Sequence, residues 1–253
     1  MICLKMKKIL IALFFCFLSF SSAHAEEITV SAAISLNNAF KEIGSSFEKL
    51  HPDTKILFNF AGSGALLQQI DKGAPVDVFA SADEKTMDMA NEKNLIDKET
   101  RRSFAQNKLV LTAPIASKIS VSGLSDLTSV KRIAIANPDS VPAGRYAKMS
   151  LEKSGLWDKT KEQHIYTQNV RQTLDYVARD EVDVGFVYSS DANHMNDKVK
   201  VLFEVPLDIP VTYPIARITT SKHTDTAQKF IDYVLSAEGQ AILKKYGFSS
   251  MVE

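Results

Sequence analysis

Cysteine is almost absent from this sequence of 253 residues: only Cys3 and Cys16 occur, both within the first 25 positions. Two thiols cannot build a disulfide-rich scaffold. A surplus of either charge is missing too, with 30 basic and 30 acidic side chains and a formal net charge of zero. A nucleic-acid binder is expected to carry a basic excess on its binding face, so no nucleic-acid partner is expected. Histidine occurs five times, at positions 24, 51, 164, 194 and 223, never at a metal-binding spacing and never as His-Glu-x-x-His. The Walker loop and the G-x-G-x-x-G turn are lacking. Acidic residues are scattered, with no pair placed for acid/base work, and no internal repeat or low-complexity segment occurs.

What is present reads as a globular protein. Hydrophobic residues make up 45% and charged residues 24%, near the averages for folded domains and unlike a disordered chain. The length suits one large domain or two of ordinary size.

Residues 1–25 read as a cleaved secretion signal. Lys5, Lys7 and Lys8 precede an uncharged, nearly all-apolar run of 12 residues, Ile9 to Phe20, and Ala23-His24-Ala25 supplies the small-residue cleavage site. The run falls short of the roughly 20 apolar residues of a membrane span. A lipid-attachment reading at Cys16 fits poorly, because Phe14 and Phe15 precede it and Cys16 sits inside the apolar run. Cleavage removes both cysteines. The remaining chain then has no disulfide, thiol nucleophile or thiolate metal site, and carries 27 basic against 30 acidic residues, a net charge near −3. Long-range attraction does not help such a protein to capture an anion, so any anion site works through local dipoles. No later apolar stretch is long enough to span a membrane.

Beyond the leader, short apolar runs alternate with helical patterns, which predicts an α/β fold. Ile28–Ala33, Ile56–Phe60, Val76–Ala80, Ile133–Ala136, Val182–Tyr188, Val199–Val205 and Val211–Ile218 read as strands. Leu36, Phe40, Ile43, Phe47 and Leu50 fall at helical spacing; further helices are predicted over Ala65–Lys72, Thr86–Leu95, Ala143–Ser154, Val170–Arg179, Thr224–Ser236 and Glu238–Tyr246. No Pro/Gly/Ser-rich linker divides the chain. Two lobes joined by crossing strands need none, and the crossings are expected near Lys108–Pro114 and Pro206–Pro214.

Four features carry candidate chemistry, each a strand or turn feeding a helix. Ser35 stands between a strand and a helix, where it is either an N-cap or a donor facing outward. Gly62-Ser63-Gly64 is a tight turn whose N–H groups can form an anion nest. Pro142-Ala143-Gly144 opens a helix with free N–H groups and almost no side chain in the way. Asn169-Val170 begins another helix, with Asn169 as its cap, and Tyr188 ends a buried strand at the edge where open α/β sheets bind ligands. Singly, each also reads as ordinary structure. Together they aim several helix N-termini at one small anion.

At these residues the sequence resembles the periplasmic molybdate-binding proteins (ModA) of molybdate ABC importers. Ala33-Ile34-Ser35-Leu36, Gly73-Ala74-Pro75-Val76-Asp77-Val78-Phe79, Val141-Pro142-Ala143-Gly144, Asn169-Val170-Arg171 and Val187-Tyr188-Ser189-Ser190-Asp191 carry the likeness, which spans nearly the whole chain after the leader. The resemblance implies a two-lobed periplasmic binding fold of type II, each lobe a mixed sheet flanked by helices, with the ligand in the cleft. The expected lobes are 26–108 with 213–253, and 109–212. It implies molybdate or tungstate held by the hydroxyls and N–H groups of Ser35 and Ser63, the backbone N–H of Ala143 and Val170, and the phenol of Tyr188. Molybdenum then enters only as the bound oxyanion, and no cofactor is expected. A membrane permease as partner, a periplasmic location and a monomeric state complete the expectation.

The turn at Ser63 is Gly-Ser-Gly where many relatives carry more serines, and Arg145 stands beside the Ala143-Gly144 turn, either pointing to solvent or adding a cationic contact at the mouth. A donor-only site suits a fully deprotonated oxyanion. Two other readings stay open: a sulfate or thiosulfate receptor, and a secreted hydrolase using Ser63.

Overall fold

The computed structural model describes residues 25–251. The secretion signal expected at 1–25 thus lies outside the described residues, apart from Ala25. β1 (Glu26–Ala33) leads to α1 (Asn37–Leu50), β2 (Thr54–Ala61) to α2 (Ser63–Asp71), and β3 (Val78–Ala80) to α3 (Glu84–Glu92). β4 (Arg102–Asn107) and β5 (Leu109–Pro114) follow, one residue apart. Then come β6 (Ile133–Ala136), α4 (Pro142–Lys153), β7 (His164–Thr167), α5 (Val170–Ala178), β8 (Val184–Tyr188) and α6 (Ser189–His194). β9 (Val199–Glu204), β10 (Val211–Arg217), α7 (Thr224–Leu235), α8 (Ala237–Lys245) and β11 (Ser249–Ser250) end the described chain. None of these helices is long and apolar enough to cross a membrane.

The strands form two mixed sheets, ordered β11-β4-β10-β3-β1-β2 and β7-β6-β8-β5-β9. In the first, β1 runs parallel to β2 and β3, while β10 is antiparallel to β3 and β4. In the second, β6 is parallel to β7 and β8, while β5 is antiparallel to β8 and β9. The protein is therefore α/β and two-lobed, each lobe a mixed sheet with its helices. The chain crosses from the first sheet to the second at Lys108 and returns between Glu204 and Val211. These crossings are tighter than the sequence suggests: Leu109–Pro114 lies wholly in the second sheet, and Val211 already pairs with Asn107 in the first.

Besides the two-residue β11, two strands have no apolar run to announce them. In β4, Arg-Ser-Phe-Ala-Gln-Asn, only Phe104, Ala105 and Asn107 are buried. In β7, His-Ile-Tyr-Thr at a sheet edge, only Thr167 is. Ladder hydrogen bonds to neighbouring strands, rather than local propensity, make these segments extended. The inner parallel strands β1 and β6 follow the opposite rule, being buried on both faces; Ile28, Val30, Ser31 and Ala32 of β1 and Ile133, Ala134 and Ile135 of β6 are fully buried.

Helix α1 shows how the periodic residues build the first core. Phe40, Ile43 and Phe47 recur at intervals of three and four, so they share a face, and all are fully buried. They meet Phe230 of α7, whose ring lies 6.1 Å from Phe40, 5.5 Å from Phe47 and 6.3 Å from Phe58, edge-on in each case. Such contacts add to the burial of the rings themselves. Phe230→Ala empties the centre of this cluster and is expected to lower the unfolding free energy by about 3–5 kcal/mol, seen as an earlier urea midpoint at unchanged slope. An unmoved midpoint contradicts the packing described.

Candidate functional site

The carboxyl ends of the parallel strands in both sheets deliver residues to one small cavity. Ala33 ends β1 and Ser35 follows it, Gly62 and Ser63 follow β2, and Ala82 follows β3. From the other lobe, Val141, Pro142 and Ala143 follow β6, Val170 follows β7, and Tyr188 ends β8. Open α/β sheets place ligands at this edge, and here two such edges face each other. The five residues singled out in the sequence, Ser35, Ser63, Ala143, Val170 and Tyr188, all line this cavity, although it draws on both lobes.

Local structure makes each of them a donor. Ser35 sits in a single 3-10 turn, Ile34–Leu36, between β1 and α1. It caps neither element; its Oγ lies 3.1 Å from the Tyr213 hydroxyl of β10. Ser63 opens α2, with Gly62 as N-cap. Its Oγ accepts a hydrogen bond from the Ala82 N–H at 3.0 Å, so its own proton is left to donate elsewhere. Ala143 is the second residue of α4, behind Pro142, and Val170 the first of α5. N–H groups of a first helical turn have no intrahelical partner. The Asn169 side chain caps α5 by accepting from the Gln172 N–H at 3.0 Å, one turn further in, and does not use the Val170 N–H.

Tyr188 is the plainest sign of a missing partner. Its hydroxyl is fully buried and makes no hydrogen bond. Burial also pushes its pKa well above the usual phenol value, so it stays protonated and able to donate. A buried, unpaired polar group costs about 1–3 kcal/mol. No Lys, Arg, Asp, Glu or His lines the cavity. Among the described residues no group of three His, Cys, Asp or Glu side chains converges to hold a cation.

The lobes touch directly around this cavity. The Gly64 N–H donates to the Ser140 carbonyl at 3.0 Å. A Cβ at Gly64 would stand 2.4 Å from that oxygen, so a serine there would hold the lobes apart. The Gly-Ser-Gly turn is thus explained by close approach of the opposite lobe. Gly144 allows a similar approach within the second lobe, since a Cβ there would fall 1.8 Å from the Ala136 carbonyl oxygen.

Arg145 neither points to solvent nor reaches the cavity. Its Nε and Nη2 lie 2.8 Å and 2.7 Å from Asp83 Oδ2, and Nη2 also donates to Thr86 Oγ1. Arg145 belongs to α4, and Asp83 caps α3 by accepting from the Thr86 N–H at 3.1 Å. The side chains are 12% and 6% exposed, so this ion pair bridges the cleft largely out of water. Asp83, Asn107 and Tyr213 were not singled out in the sequence, because the contacts that tie Asp83 to Arg145, Asn107 to Tyr213 and Tyr213 to Ser35 span 62, 106 and 178 residues. Asp191, in the first turn of α6, is fully buried 3.4 Å from the Arg171 guanidinium. Burial raises its carboxyl from 3.8 to about 6, against the opposing pull of Arg171.

Two facing lobes with a cleft lined by neutral donors define the class of two-lobed solute-binding proteins. Residues 28–249 match the family model of bacterial extracellular solute-binding proteins. The chain is 35% identical to the molybdate-binding protein ModA of Haemophilus influenzae, over 97% of this chain and 99% of that one. It is 38% identical to the molybdate-binding protein ModA of Escherichia coli strain K12, covering 88% and 89%. The periplasmic molybdate-binding protein of Azotobacter vinelandii superposes with a TM-score of 0.76 over 88% of this chain and 98% of that one, at 24% identity, and so shares the fold. The chain belongs to the bacterial extracellular solute-binding proteins and, among them, to the ModA family.

Two measurements probe the geometry. A double-mutant cycle of Arg145→Ala and Asp83→Ala, read by urea unfolding, is expected to give a coupling energy of about 1–3 kcal/mol; strictly additive losses contradict the bridge. For Asp191, the unfolded chain ionises before the folded one, so its contribution to stability is full at low pH and is lost as pH rises from about 4 to about 6. Asp191→Asn is expected to remove this pH dependence, worth about 3 kcal/mol across the window, from the difference between the two unfolding profiles. Parallel profiles show that the carboxyl is not held near 6.

Proposed function

We propose that this protein captures molybdate or tungstate outside the cytoplasm and delivers it to the membrane permease of an ABC importer. The observation that carries the reading is the Tyr188 hydroxyl, buried without a partner in a cavity whose other polar groups are donors as well. In this reading Ser35 and Ser63 donate through hydroxyl and N–H, Ala143 and Val170 through N–H, and Tyr188 through its phenol. A charge-assisted hydrogen bond contributes about 1.5–3 kcal/mol net, and micromolar affinity requires about 8 kcal/mol. A handful of such bonds suffices after the ordering costs are met.

Charge and size select the ligand. Molybdate, tungstate and sulfate are fully deprotonated at neutral pH and need only donors. Hydrogen phosphate keeps a proton and needs an acceptor, and none of the five residues offers a carboxylate. The larger anions reach every donor, whereas sulfate leaves some unpaired. The molybdate-binding names of the relatives support the larger ligand.

Closure about Lys108 and the segment leading into β10 brings the lobes together, with residues 26–107 and 211–253 moving as one body and 109–204 as the other. The Arg145–Asp83 bridge and the Gly64–Ser140 contact are the closed-state links. The leader directs the chain to the periplasm and is cut after Ala25, and the protein acts as a monomer without a cofactor. It is a receptor and not an enzyme: Ser63 gives its acceptor site to the Ala82 N–H, and no histidine lines the cavity to activate it.

In a thermal-shift panel at equal anion concentrations, molybdate and tungstate are expected to stabilise the protein and sulfate is not; the reverse order rejects the reading in favour of a sulfate receptor. Ser63→Ala is expected to weaken molybdate binding ten- to a hundredfold, about 1.5–3 kcal/mol. Tyr188→Phe weakens it less where water replaces the phenol. Unchanged calorimetric affinity in both variants removes the site.

A further inference from the structure

The direction of the hydrogen bonds behind the cavity is determined by one buried amide. Asn107 ends β4 beside the first crossing between the lobes and is 8% exposed. Its carbonyl oxygen accepts from the Lys108 N–H at 2.9 Å and from the Ser189 hydroxyl at 2.8 Å. A backbone N–H can only donate, so this end of the amide is the oxygen. The other end is therefore the NH2 group, which donates to Ser190 Oγ at 2.8 Å and to the Tyr213 hydroxyl at 3.4 Å.

The consequence passes to the cavity in two steps. The Tyr213 oxygen accepts a hydrogen bond from the Asn107 NH2, and the phenol is fully buried, which keeps its own proton on. The acceptor left for that proton is Ser35 Oγ, 3.1 Å away. Ser35 then has one lone pair filled from behind, which leaves its own proton free for the cavity that it lines. The order runs amide to phenol to alcohol to ligand, a donor chain whose direction is set by the Asn107 amide.

We propose that Asn107 and Tyr213 are positioning residues that keep the Ser35 proton free for the ligand, and so favour fully deprotonated oxyanions over singly protonated ones of the same charge. This rests on the oxyanion-receptor reading and deepens it, since neither residue lines the cavity. A hydrogen phosphate ion presents a P–O–H to the lining. Where that hydroxyl faces the Ser35 proton, like ends of two dipoles meet.

Asn107→Asp tests the direction itself. The carboxylate has nearly the shape of the amide but only accepts. Tyr213 then donates to it, Ser35 donates to Tyr213, and the lone pairs of Ser35 turn to the cavity. The added charge weakens molybdate and hydrogen phosphate alike, because both carry two charges, so it cancels in their ratio. Tyr213→Phe is a second route with no change of charge, freeing Ser35 to turn.

The experiment measures the Kd of sodium molybdate by calorimetry and that of inorganic phosphate by competition, at a pH where phosphate keeps one proton. In Asn107→Asp the ratio of phosphate to molybdate Kd is expected to fall at least about tenfold relative to the unaltered protein, with a smaller fall in the same direction in Tyr213→Phe. An unchanged ratio in both variants, with molybdate still bound by the unaltered protein, overturns the donor chain alone. No molybdate binding by the unaltered protein overturns the receptor reading, and the inference with it.

Discussion

Three helix N-termini, those of α2, α4 and α5, meet at one small cavity, and their like partial charges repel. Each end carries about half a positive charge in first-turn N–H groups. Convergence of this kind is unfavourable until something negative stands between the ends, so the scaffold must hold it. The first sheet fixes α2, and the second fixes α4 and α5. Between the lobes the work falls to small contacts: a glycine N–H on a carbonyl, and a guanidinium on the carboxylate that caps α3. Both links lie beside the cavity, so the geometry that assembles the donors is also the geometry that shuts water out.

The use of neutral donors follows from the same constraint. Lys or Arg in the cavity would attract an anion over a long range and hold it in the open state as well. The field of a helix end is lost beyond its first turn, so an anion feels the full set of donors only when both lobes are in place. The chain as a whole carries no net positive charge to counteract this. Affinity is thus tied to closure, which suits a receptor that must release what it carries. Arg145 fits the pattern: its charge is spent on Asp83 and does not face the cavity.

The sequence makes part of this legible because that part is local. Apolar runs such as Ile133–Ala136 and the Phe40, Ile43, Phe47 spacing predict their own elements, and a strand running directly into a helix exposes first-turn donors whatever surrounds it. Ser35, Ser63, Ala143, Val170 and Tyr188 stand at such junctions, so all could be singled out before any contact was known. What was illegible depends on tertiary pairing. β4 and β7 are polar segments made extended by their neighbours. Arg145 read as either solvent-facing or a cation at the mouth because nothing near it in sequence is its partner; Asp83 lies 62 residues earlier. Tyr213 meets Ser35 across 178 residues, and a tyrosine in an apolar strand looks like core. Ser35 itself reads as a cap, yet its hydroxyl is turned away from the helix toward that tyrosine.

Asn107 joins these two kinds of information. It stands two residues before β5, where the chain passes between lobes, and its amide binds Ser189 and Ser190 from the second lobe while reaching Tyr213 in the first. Parting the lobes removes only the two serines, because they stand in the second lobe. The Lys108 N–H, next in the chain, still holds the amide oxygen, and the NH2 still faces Tyr213 within the first sheet. The direction of the hydrogen bonds behind Ser35 therefore belongs to the first lobe alone, whereas the helix ends that complete the donor set come from both lobes. Ser35 has its proton free before the cleft shuts, and closure brings the first-turn N–H groups of α4 and α5 and the Tyr188 phenol to the same cavity.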